Sequence, residues 1–209
     1  MKRIFGDLNI SWPVVLIFAA AAGLVTGILG SIPATEGTSF RDIAIGYEWW
    51  VIFAFVIASN SQKNWESALK IFVFFFISQP LVFAVEVLLG HITPDLAIYY
   101  YTSIWGPATL FTLPGGLLAF YIKKQNPFGW IILGLGNTLQ AIYGIHYLGS
   151  AIANPPFHIL SAIVCFASII IMALQIQQDH KGRIATLAIT VGVTLTLIIL
   201  LALTGRTLL

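Results

Sequence analysis

Apolar residues along this chain gather into seven stretches separated by short polar gaps. The hydrocarbon core of a bilayer is about 30 Å thick, so a helix rising about 1.5 Å per residue crosses it in about 20 residues. Stretches 12–31, 44–60, 68–89, 99–122, 128–152, 157–177 and 184–205 fit that length as helices. The pattern predicts an all-α, polytopic membrane bundle of about seven spans. The gaps are too short for a soluble domain, so residues 1–209 read as a single transmembrane domain. The second stretch has an extra feature: Phe40 to Tyr47 reads as a short interfacial helix leading into the span.

Composition sharpens this reading. The chain is 58% hydrophobic and 9% charged, against about 25% charged residues in soluble domains. Too few charges are present to cover a water-soluble fold of this size. The basic residues are scattered in pairs rather than gathered in a patch, which excludes nucleic acid as a partner. Cys165, the single cysteine, lies inside an apolar stretch, so neither an intrachain disulfide nor a CxxC pair can form. The start Met1-Lys2-Arg3 followed by an apolar run reads as an uncleaved first span rather than a signal peptide.

The charges also orient the bundle. Lys2, Arg3, Lys63, Lys70, Lys123, Lys124, Lys181 and Arg183 fall in every second gap, and only Arg41 and Arg206 fall on the opposite side. The positive-inside rule then predicts a cytoplasmic N-terminus and an external C-terminus in the cell membrane. Indole rings favour the headgroup level. Trp12, Trp65 and Trp130 are expected at the inner boundary and Trp49, Trp50 and Trp105 at the outer one. Pro13, Pro33, Pro94, Pro127, Pro155 and Pro156 mark span ends, whereas Pro80, Pro107 and Pro114 fall inside spans.

With the sides assigned, the polar residues that could carry chemistry concentrate in the outer half. They are Glu48, Glu86, His146 and His158, with His91, Asp95, Tyr99, Tyr100, Tyr101, Tyr143 and Tyr147 at the same level. Ionisable groups inside a membrane are functional hypotheses by default, because burying them is expensive. Glu48 and His158 open their spans and read as interfacial; Glu86 and His146 lie deeper and read as buried and partnered, a Glu86–His146 hydrogen bond being one such pairing. Gln79 and Glu86 are seven residues apart and share one helix face, next to Pro80, which frees a backbone carbonyl one turn earlier. Asn137, Gln140, Gly144 and Tyr147 share another face, with His146 nearly opposite Asn137. Span four contains Trp105-Gly106-Pro107 and Thr112-Leu113-Pro114-Gly115-Gly116, a segment that reads as a hinge or as close packing. Ala19, Gly23, Gly27 and Gly30 form a small-residue face suited to another span or to another subunit, a homo-oligomer or a partner membrane protein. Thr186, Thr190 and Thr194 recur at helical spacing and are expected to bond their own backbone.

Absences narrow the chemistry. No lysine in span seven can hold a retinal, no HExxH or HxxxH pair suits zinc, and no GxSxG elbow is present. The aspartates Asp7, Asp42, Asp95 and Asp179 all look peripheral. No cofactor or metal is expected. The expected function is a small-molecule membrane transporter, or the substrate-binding membrane subunit of one, with an outward polar and aromatic site. The residues expected to bind substrate are Gln79, Glu86, Asn137, Gln140, Tyr143, His146, Glu48 and Trp105. The alternatives are a membrane enzyme using glutamate and histidine as acid–base or metal ligands, and a non-catalytic partner or sensor subunit.

Overall fold

The structure, a computed structural model, describes residues 4–155 and 157–204, with the side chains of 44 and 45 left aside. Lys2, Arg3, Pro156 and Arg206 lie outside the described residues. Among those described, the secondary structure is entirely helical: α1 Trp12–Ser31, α2 Ser39–Ile45, α3 Tyr47–Asn60, α4 Asn64–Leu88, α5 Pro94–Tyr100, α6 Gly106–Ala119, α7 Pro127–Ala153, α8 Ile159–Ile176 and α9 His180–Leu203. Five of these, α1, α4, α7, α8 and α9, are long and apolar enough to cross a membrane. Their outward faces carry large exposed apolar side chains, among them Ile17, Val25, Ile163, Ile170, Leu195 and Ile199. Such a surface is suited to lipid rather than water.

The two remaining expected spans are built differently. The second is split as its sequence foretold: α2 ends at Gly46, whose extended backbone (φ −80°, ψ 139°) breaks the helix before α3 begins. With 14 residues, α3 covers only about 21 Å. The fourth is one helical path from Pro94 to Lys123, interrupted by a π turn at Tyr101–Trp105 and closed by a 3-10 turn at Phe120–Lys123. Pro107 explains the π turn. It has no N–H to donate and its ring crowds the preceding turn, so the helix widens just before it.

Local chemistry sets several helix starts. Asn126 caps α7 by accepting from the Gly129 N–H (3.0 Å), and Asp179 caps α9 by accepting from the Gly182 N–H (3.1 Å). At α4 the Glu66 carboxylate accepts from the N–H groups of Gln62 and Lys63.

Two helix layers meet at α3. The α1–α4 pair packs on one side and the α7–α8–α9 group on the other, with α6 against α4. Gly23 and Gly27 make the first pair possible. A Cβ on Gly23 would come 2.7 Å from the Ser78 carbonyl oxygen, and one on Gly27 would come 2.7 Å from the Val85 Cβ. Of the two partners expected for the small-residue face, another span or another subunit, the structure has the first: Gly23 and Gly27 meet α4 of the same chain. On α6 the two glycines differ. Gly116 is pressed on Ala68, and its carbonyl accepts from the Ser67 hydroxyl (2.9 Å), whereas Gly115 faces open space. Packing therefore accounts for Gly116 alone. Pro80 lies inside α4, and the neighbouring Ser78 hydroxyl does not satisfy the carbonyl it frees, because Ser78 Oγ is buried without a partner. The threonine ladder behaves as expected at two of its three positions: Thr190 donates to the Thr186 carbonyl (2.9 Å) and Thr194 to that of Thr190 (2.7 Å), whereas the Thr186 hydroxyl is buried without a partner.

The two ends of the bundle differ in character. At one end, Asn60 ties down the segment of residues 4–8 through the Gly6 and Leu8 N–H groups and the Ile4 carbonyl, and Gln175 accepts from Ile4 N–H. Lys123 donates to the Ser61 carbonyl there, and Arg183 to that of Gln177. At the other end Arg41 donates to His91 and Asp42 engages His158. Among the described residues the expected basic gaps thus share one end, opposite Arg41. Trp50 is a core residue at 3% exposure, set among Phe53, Phe74 and Phe75, because α3 is enclosed by other helices.

Candidate functional site

The Arg41 end holds two neighbouring groups of polar side chains. The first is built on α3. Glu48 lies in its first turn and is fully buried. Tyr147 on α7 donates its phenol to Glu48 Oε1 (3.1 Å), and Gln140 Nε2, two turns earlier on the same face, donates to the Glu48 carbonyl (2.7 Å). Glu48 Oε2 and Gln140 Oε1 are buried and unpartnered. The Glu48 carboxylate fills the space where a Cβ on residue 46 would lie, so Gly46 is required for this placement as well as for the helix break. Beside it, Asp42 on α2 is buried, accepts from Ser161 Oγ (2.6 Å), and holds His158 Nδ1 at 2.9 and 3.0 Å from its two oxygens. A carboxylate only accepts, so that nitrogen carries the proton. His158 occupies the position before α8 in the left-handed region (φ 64°) without a side-chain cap bond, and its ring stacks on Tyr147 (5.9 Å, 13°).

Aromatic rings join this group to the second. Tyr147 neighbours Tyr143 (6.0 Å), Tyr143 neighbours Tyr47 (6.2 Å), and Tyr47 stacks on Trp105 (5.2 Å, 26°). The ribbon crosses from the start of α8 to the π turn before α6.

Beyond Trp105 lies a cavity of about 380 Å3 lined by Gln79 and Glu86 of α4, Arg41 of α2, His91, Tyr100 and Trp105, with apolar side chains completing its wall. The face shared by Gln79 and Glu86 is thus the one that looks into a cavity. On its other side Trp105 also lines an apolar cleft of about 290 Å3, which passes Thr112, Gly115 and Gly116 of α6 and reaches Ala119.

The expected site residues therefore separate into groups. Gln79, Glu86 and Trp105 line one cavity. Glu48, Gln140 and Tyr143 belong to the ribbon and its carboxylate. Asn137 is fully buried with both side-chain polar atoms unpartnered, and it lines neither the cavity nor the cleft. His146 is exposed on the far side of α7, as its angle from Asn137 foretold, and does not take the buried, partnered role expected of it. It does not meet Glu86, which lies across the bundle in the cavity with Arg41. Glu48 reverses the other way: expected at headgroup level, it is enclosed by α7. Sequence reading missed Asp42 and Arg41. Both sit on the short helix it had recognised, but their partners are 119 and 50 positions away in the chain, and no local pattern encodes those meetings.

Among the described residues no three His, Cys, Asp or Glu side chains gather closely enough to hold a metal ion. No protein-family model matches this chain, and no curated protein or solved structure matches it significantly.

Proposed function

We propose that this chain is a multi-pass carrier of the cell membrane, or the substrate-binding membrane subunit of one, which takes a small molecule at its Arg41 end. In this reading the Arg41 end is external, the basic end is cytoplasmic, and α3 and the 94–123 path complete seven crossings. The observation that carries the proposal is that the Glu86 cavity and the apolar cleft share one residue, Trp105. Two spaces in series, divided by one side chain on a π turn, give a carrier its binding chamber, barrier and onward route. π turns recur at functional sites because they are weak points of a helix ladder. Gly115, with open space beside it and Pro114 before it, supplies a second such point along the cleft. Glu86 and Gln79 contact substrate, and Trp105 separates the chambers. Glu48, Gln140 and Tyr147 hold α3 against α7 behind the ribbon rather than lining the route.

The test is ligand-induced thermal stabilisation of the purified protein in detergent across a panel of small metabolites, followed by uptake of each binder into proteoliposomes. Binding and uptake in the wild type that are abolished in Glu86→Gln support the reading. Binders that stabilise both proteins equally would remove Glu86 from the site.

A further inference from the structure

The Glu86 cavity contains charges of both signs that do not neutralise each other. Glu86 lies on one wall, and among the described residues its carboxylate takes part in no hydrogen bond and no ion pair. Arg41 lies on another and acts on Glu86 electrostatically, yet no ion pair within 4.0 Å joins them. One guanidinium nitrogen, Nη2, donates to His91 Nε2 (3.1 Å). Guanidinium cannot accept, so the imidazole is the acceptor at that nitrogen and the other donors of the fork stay uncommitted. Two turns further along α4, Gln79 lines the same cavity at 2% exposure, and its Nε2 is buried without an acceptor.

Each of these is incomplete by itself. A buried amide donor without an acceptor costs free energy of the order of 1–3 kcal/mol, and native proteins rarely leave one so. A carboxylate and a guanidinium facing one small space, but not paired, present an anionic and a cationic post with room between them. The walls between the posts are apolar or aromatic: Val82, Phe83, Ile92, Leu96, Tyr100 and Trp105. Polar contacts at a few fixed points in a largely apolar wall are what orients a small ligand.

We infer that the ligand is an amino-acid-sized zwitterion. Its ammonium is held by Glu86, its carboxylate by the free donors of Arg41, and a hydrogen-bond acceptor at its far end by Gln79. The planar fork of arginine suits a carboxylate in two-point contact, and the aromatic rings of Tyr100 and Trp105 line the same cavity, a setting that favours an ammonium. A simple cation leaves Arg41 unopposed in the cavity, and a simple anion does the same to Glu86. This inference rests on the carrier reading of the same cavity and assigns its substrate class.

The experiment measures binding of the twenty standard L-amino acids and glycine betaine, one at a time, to the full-length protein in detergent. Each binder is then compared with its methyl ester, which lacks the carboxylate, and, for amino acids, with its N-acetyl form, which lacks the ammonium. At least one zwitterion is expected to bind, with each blocked form at least tenfold weaker. Arg41→Gln is expected to weaken the parent at least tenfold while leaving the ester unchanged, and Glu86→Gln to do the same with the N-acetyl form. Arg41→Lys restores part of the affinity, a recovery that general damage to the fold would not permit. Equal binding of parent and ester overturns the inference. So does binding of the diamine putrescine in place of every zwitterion, although carriage would stand if that binding were lost in Glu86→Gln. Absence of any binder, from this series or from the metabolite panel, removes both the inference and the carrier reading.

Discussion

Tyr147 donates its phenolic proton to Glu48 Oε1 across 3.1 Å, and the donor lies 99 positions from its acceptor in the chain. This contact clamps the first turn of α3 to α7. Tyr147→Phe keeps the ring and its stacking on His158 but leaves a buried carboxylate oxygen without its donor. The loss is expected to lower stability by about 1–3 kcal/mol, read as a fall in melting temperature of the detergent-solubilised protein.

Gly46 is the reason that Glu48 can lie where it does. Gly46→Ala adds a Cβ in the space of the carboxylate and must displace it. Overpacking of this kind typically costs about 1–3 kcal/mol. The Tyr147→Phe effect is expected to shrink in the Gly46→Ala background, because the contact is already broken; a double-mutant cycle on melting measures the coupling.

Gly27 stands against Val85, so a larger residue pushes α1 from α4. Gly27→Val is expected to destabilise by about 1–3 kcal/mol or more, because the opposing surface is the α4 helix rather than a flexible side-chain end. Gly192→Ala on α9, where the added Cβ meets nothing within 4 Å beyond its own helix backbone, is the control and does not lower melting, since alanine favours the helix over glycine.

Asp42 accepts from both Ser161 and His158 in a buried setting. Asp42→Ala strands the Ser161 hydroxyl and leaves the start of α8 held to α2 by the Ser161 N–H to Ser39 Oγ bond (3.2 Å) in place of three contacts. It is expected to cost about 1–3 kcal/mol and to speed amide exchange in the first turns of α8, which hydrogen-exchange mass spectrometry reads directly.

Sidedness has its own test. Cys165 is fully buried, so a membrane-impermeant maleimide should leave wild-type protein unlabelled in intact cells. Asp95→Cys is expected to react in intact cells, and Lys124→Cys only after the membrane is opened. The reverse order would invert the proposed orientation.

Periodicity and charge determined the helical class, the five long apolar helices, the short helix before Tyr47 and the segregation of basic residues to one end. These are properties of residues near one another in the chain: a helix is closed by bonds four residues apart, and its faces follow from 3.6 residues per turn. The same arithmetic placed Gln79 with Glu86 on one face and His146 away from Asn137. Burial was decided only by the tertiary structure. Glu48 opens its helix much as an interfacial residue would, yet α7 covers it, and His146 sits deep in its stretch yet faces outward. Asp42 and Arg41 became part of the Arg41 end only when α2 met α8 and the turn after α4. The cavity and the cleft, both lined by Trp105, belong to no segment at all. One is the space left between α2, α4, α5 and the turn after α4, the other the space between α3, α4, α6 and α7, and such gaps exist only once the helices have been packed.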